Sequence, residues 1–139
     1  MITFLKLIII GFISGLILAA TAKIIRFTIG SKAEILLYNM DYMPVIKRWS
    51  DQWITGIIFH YATCISSVVV LFYMLIPFGW ETNIWPYVLV YTAGSGVLYF
   101  LSLFTDQPPA PNSFSSWLCW TFSHTVFGLA AGLLIKWWI

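Results

Sequence analysis

Four long apolar runs, separated by shorter polar stretches, account for most of the chain. They cover about Phe4–Ala22, Ile54–Ile76, Trp85–Thr105 and residues 115–137. A bilayer core of ~30 Å is crossed by a helix of about 20 residues, so each run is predicted to be a membrane span. In hydrocarbon a helix satisfies its own backbone polar groups. The predicted fold class is therefore all-α: an integral membrane four-helix bundle forming one domain over residues 1–139.

The polar stretches differ from one another. Residues 23–52 carry Lys23, Arg26, Lys32, Lys47 and Arg48 together with Glu34, Asp41 and Asp51. Between Ala33 and Trp49 these charges alternate with Ile35, Leu36, Leu37, Tyr38, Met40, Tyr42, Met43, Val45 and Ile46. That mixture predicts an interfacial amphipathic segment lying on the bilayer. Pro44 argues against one continuous helix there. The second connection is a turn, Pro77-Phe78-Gly79-Trp80, and the third is the proline-rich stretch Asp106–Ser113.

The opening run resembles a secretory signal, with Lys6 before the apolar core and Ala19, Ala20 and Ala22 at its end. Its core is too long for a cleavable signal and leads directly into Lys23 and Arg26, so an uncleaved span is expected.

Composition agrees with this pattern. The chain is 60% hydrophobic and 9% charged, against about 25% charged in a soluble domain. Four spans in 139 residues leave no room for a soluble catalytic domain. Trp49, Trp53, Trp80, Trp85, Trp117, Trp137 and Trp138 fall near predicted span ends, as an aromatic belt would. The first connection holds five basic residues and the next two hold none. The positive-inside rule then places residues 23–52 in the cytoplasm, with Lys6 and Lys136 pulling the other way. Cys64 and Cys119 lie inside apolar runs and read as small packing residues rather than a disulfide framework.

Two pairs of glycines stand four apart: Gly11 with Gly15, and Gly128 with Gly132. This spacing lets helix backbones approach closely and marks the expected helix-packing faces.

The candidate chemistry lies in two intramembrane histidines, because an ionisable ring in hydrocarbon is a functional candidate by default. Counted from the same side, His60 lies about six residues into its span and His124 about ten, which puts both ~9–15 Å deep. Tyr99 reaches a similar layer, and Lys23 could reach toward it. His60, Tyr99, His124 and Lys23 are thus expected around one polar pocket. Three roles compete for that layer. The rings could hydrogen-bond neighbouring helices and fix packing. They could relay protons. They could also coordinate a metal or haem, with Cys64 on the same helix face as His60. No Asp or Glu lies inside a span, and no hydrolase, phosphate-loop or dinucleotide motif is present. No enzyme activity, catalytic residue, cofactor or resident metal is expected. The expected partners are the lipid bilayer and, through the glycine faces, a second copy or another membrane protein, with no nucleic acid.

The order of features resembles the YagU-like family of uncharacterised bacterial inner-membrane proteins. The first span is glycine-rich and ends on Lys23, and a histidine, His60, stands early in a span closed by Pro77. Trp85 opens a span that ends on Thr105 before Pro108 and Pro109, and His124 with Phe127 follows in the last span. The likeness covers most of residues 7–132 and implies a multi-pass protein of the bacterial inner membrane. An association with acid tolerance in a relative fits a pH-responsive or transport-related role for the histidines. A structural or assembly subunit is the alternative.

Overall fold

A computed structural model describes residues 2–45, 47–49 and 53–139. Ile46, assigned above to the interfacial segment, and Asp51, one of the connection's charges, lie outside the described residues. Among the described residues every regular element is helical: α1 (Ile2–Ile29), α2 (Ile35–Tyr38), α3 (Trp53–Leu75), α4 (Ile84–Leu98) and α5 (Phe114–Trp138), with short 3-10 turns at Lys47–Trp49, Ile76–Phe78 and Tyr99–Phe104. Four of these stretches, Ile2–Ile29, Trp53–Phe78, Ile84–Phe104 and Phe114–Trp138, are long and apolar enough to cross a membrane. The fold is an all-α four-helix bundle of a multi-pass membrane protein.

The ends of the helices follow local chemistry. α1 continues past Ala22 to Ile29, so the charges at Lys23 and Arg26 do not end it. Both side chains are exposed, and a cation in the last turn of a helix is favourable to its dipole. At 28 residues α1 is about 42 Å long, which exceeds the ~30 Å hydrocarbon core. Gly30 stops it with a left-handed φ of 75° and an N–H donated to the Arg26 carbonyl. The second span closes in a Schellman turn. Gly79 at φ 66° donates to Ile76, and Trp80 donates to Leu75. Asn83 caps α4 by accepting from the Trp85 N–H, and Ser113 caps α5 by accepting from the Ser116 N–H.

In space the long helices form an arc in the order α3, α1, α5, α4, while α3 and α4, at its two ends, hardly touch. Neighbours in the arc run antiparallel. Lys6 near the start of α1 donates to the Trp138 carbonyl at the end of α5 (2.7 Å), and the end of α5 packs on the start of α4.

The four glycines lie where these backbones meet. A Cβ on Gly11 would stand 2.6 Å from the Ile65 Cα, and one on Gly15 3.2 Å from the Cys64 Cβ, so both lie at the α1–α3 seam. A Cβ on Gly128 would stand 2.7 Å from the Tyr87 carbonyl oxygen, and one on Gly132 3.1 Å from the Ile84 Cα. The α4–α5 seam also carries polar ties. Trp120 Nε1 donates to the Ser95 carbonyl (2.8 Å), Trp117 Nε1 donates to the Gly96 carbonyl (3.0 Å), and the Thr92 and Thr125 hydroxyls share a hydrogen bond. Trp117 is thus held in a helix seam, whereas Trp53, Trp80, Trp85 and Trp137 are exposed at span ends.

The connection between α1 and α3 divides in two. Its first half turns into the protein: Ala33, Leu36, Leu37 and Met40 are buried, and a Cβ on Gly56 of α3 would meet the Tyr38 carbonyl oxygen at 2.5 Å. Arg26 and Glu34 pair at its start, and Asn39 donates to the Thr105 hydroxyl at its end (2.9 Å). Met43, Val45 and Trp49 in the second half are exposed, as an interfacial segment requires. α2 is only one helical turn, and it closes one end of the bundle.

Candidate functional site

Because α3 and α4 stand apart, the arc encloses a cavity of about 330 Å³ between them. Each wall is one helix face. α3 contributes His60, Thr63, Cys64 and Ser67, and α4 contributes Tyr91, Gly94, Ser95 and Leu98. Both sets follow the i, i+3, i+4, i+7 spacing of a single helical stripe. Trp120, His124 and Phe127 of α5 form the back, while Leu36, Leu37 and Tyr42 close the α2 end. Most of this lining is apolar, with polar atoms at a few points, which is the usual character of a ligand site.

His60 is buried, and its Nε2 lies 3.2 Å from the Gly15 carbonyl oxygen. A carbonyl only accepts, so Nε2 carries the proton in this bond and Nδ1 of the neutral ring is an acceptor. The Cys64 sulfur sits 3.9 Å from both ring nitrogens. Tyr38 and Tyr61 flank the ring with centroids at 5.3 and 4.9 Å.

His124 is held in the opposite way. Its Nδ1 lies 2.8 Å from the Trp120 carbonyl oxygen one turn earlier, and the Trp120 indole packs on the ring at 4.2 Å. Here Nδ1 is the donor, and Nε2 is an acceptor with no partner among the described residues. The two histidines, from helices that hardly touch, therefore line one cavity, each with one nitrogen fixed and one able to accept a proton.

Tyr99 does not line this cavity. It is buried, and its hydroxyl donates to the Ala110 carbonyl (2.8 Å), which anchors the proline-rich loop. The cause is rotational. Tyr99 still follows α4, its N–H bonded to the Ser95 carbonyl, and the ~100° step from Leu98 turns it from the cavity face toward the Gly96 side that packs on α5. Lys23 also stays out of the cavity: its side chain is exposed near the end of α1. Among the described residues no three His, Cys, Asp or Glu side chains come together as a metal-binding group. The coordination reading thus has His60, Cys64 and His124 around one cavity without a clustered donor set.

Several lining residues escaped the sequence reading. Tyr91 donates to the Ser67 hydroxyl (3.4 Å) and so bridges the α3–α4 gap. Tyr42 presents an O–H at the α2 end, since burial pushes its phenol above the ordinary value and the neighbouring Asp41 charge adds to this. The polar stripe His60-Thr63-Cys64-Ser67 was a usable signal, because small polar residues at helical spacing mark one face of an apolar span. Tyr42 carried no such signal. Compared with family models, curated proteins and solved structures, the chain matches none.

Proposed function

We propose that this chain is a multi-pass protein of the bacterial inner membrane, akin to the YagU-like family, whose two-histidine cavity handles protons in a pH-responsive or transport-related role. The observation that carries this reading is the arrangement of His60 and His124. They line one cavity from α3 and α5, and each donates to a backbone carbonyl while its other nitrogen remains an acceptor. An imidazole so held can take up a proton without giving up its anchoring bond, which is what a relay requires.

The positive-inside rule orients the site. With residues 23–52 in the cytoplasm, the α2 end of the cavity faces inward and the cavity extends toward the bilayer centre.

Proton flux into reconstituted vesicles under an imposed potential tests the proposal, wild type against the His60→Phe/His124→Phe double variant. Flux that the double variant loses supports it. Equal flux in both, or none in either, favours the alternative of a structural or assembly subunit. In that second reading a second copy or another membrane protein packs against the exposed apolar outer faces of the spans.

A further inference from the structure

A proton relay needs no lateral opening, yet this cavity has one. Thr63 of α3 and Val90 and Leu98 of α4 line it and are also exposed, so its rim lies on the outer surface of the bundle between those helices. By span length and composition that surface faces hydrocarbon. The Tyr91–Ser67 hydrogen bond is the one side-chain tie across the gap among the described residues. Gly94 widens the opening, since a Cβ there would meet nothing within 4 Å.

The wall chemistry restricts what could enter. No lining residue is Asp, Glu, Lys or Arg, so a permanently charged ligand would find no counter-ion in the wall. His124 Nε2 offers an acceptor and has no donor among the described residues. A volume of about 330 Å³ lies at the lower end of small-molecule sites, roughly 300–1,000 Å³. That suits a head group and the first part of a chain whose tail continues through the opening into lipid.

We propose that the cavity takes an uncharged amphiphile from the bilayer, with its apolar body between α3 and α4 and an O–H donor on His124 Nε2. This rests on reading the cavity as the functional site and names the class of molecule it binds. Alcohols, phenols and protonated fatty acids share the required chemistry.

The test uses the full chain in phosphatidylcholine vesicles, a dodecanol carrying a tail diazirine, and the methyl ether of the same molecule. After irradiation, labelled residues are mapped by mass spectrometry. The alcohol is expected to label α3 and α4 around the rim about fivefold more than the ether, the selectivity of one neutral hydrogen bond. His124→Phe should bring alcohol labelling down to the ether level. Gly94→Leu, placed in open space, should lower labelling by both probes while the variant keeps its wild-type melting. The photoreactive derivative of a protonated fatty acid, run beside the alcohol, tells which O–H source is preferred, and selective labelling by either supports the proposal. Labelling above the ether level by neither O–H probe in the wild type, or selective labelling unchanged by both substitutions, would overturn it. The readout is independent of flux. Histidine-dependent flux without selective labelling removes the amphiphile and leaves the proton reading, whereas selective labelling without flux removes proton handling alone.

Discussion

His60 on α3 is hydrogen-bonded to the backbone of Gly15 on α1, Nε2 to carbonyl oxygen at 3.2 Å. The glycine makes this bond possible. A Cβ at Gly15 would stand 3.2 Å from both the Cys64 Cβ and the Tyr61 ring, so a larger residue fits only if those side chains beside the histidine give way by a few tenths of an ångström. Packing of the first span and placement of the candidate site are therefore one feature.

Bulky residues at the glycine seams should destabilise the bundle. At Gly11 and Gly128 the obstacle is neighbouring backbone, which cannot rotate aside. Gly15→Leu and Gly128→Leu are each expected to cost at least about 1–3 kcal/mol, the usual range for overpacking. Ile9→Leu, at a surface position, should change little. Thermal unfolding in detergent checks this, and equal tolerance at all three positions would remove the packing role of the glycines.

Tyr99 should behave as a loop anchor. Tyr99→Phe removes the hydroxyl bonded to the Ala110 carbonyl and is expected to cost about 0.5–1.5 kcal/mol. Histidine-dependent flux should persist, because Tyr99 lies outside the cavity. Loss of flux at unchanged stability would return Tyr99 to the functional site.

Orientation can be read by cysteine accessibility in intact cells. In a background of Cys64→Ala and Cys119→Ala, Glu81→Cys should react with an impermeant reagent from outside and Lys32→Cys should not. External labelling of position 32 would invert the topology.

The helices were legible in the sequence because hydrocarbon imposes a length and a composition on any span. The heights of His60 and His124 followed from helix rise. Rotation did not. Each helical residue turns about 100° from the last, and that single step takes the chain from Leu98 on the cavity face to Tyr99 off it. The inward half of the first connection was hidden for another reason. Leu36, Leu37 and Met40 would satisfy lipid as well as protein, so composition alone does not say which they meet. The cavity is a gap between two helices that are adjacent in sequence yet hardly touch, and the pattern of residues does not record a missing contact.

The central claim is that His60 and His124 serve as proton-accepting groups in one cavity. Nitrogen-15 NMR of the histidines, followed across the pH range in which flux occurs, tests it most directly. The rings should begin as opposite neutral tautomers, Nε2–H at His60 and Nδ1–H at His124, as their carbonyl partners require. At least one should then gain a proton within that range, and replacing the other histidine should shift its titration. Two rings that stay neutral throughout would contradict the claim and leave both histidines as packing groups.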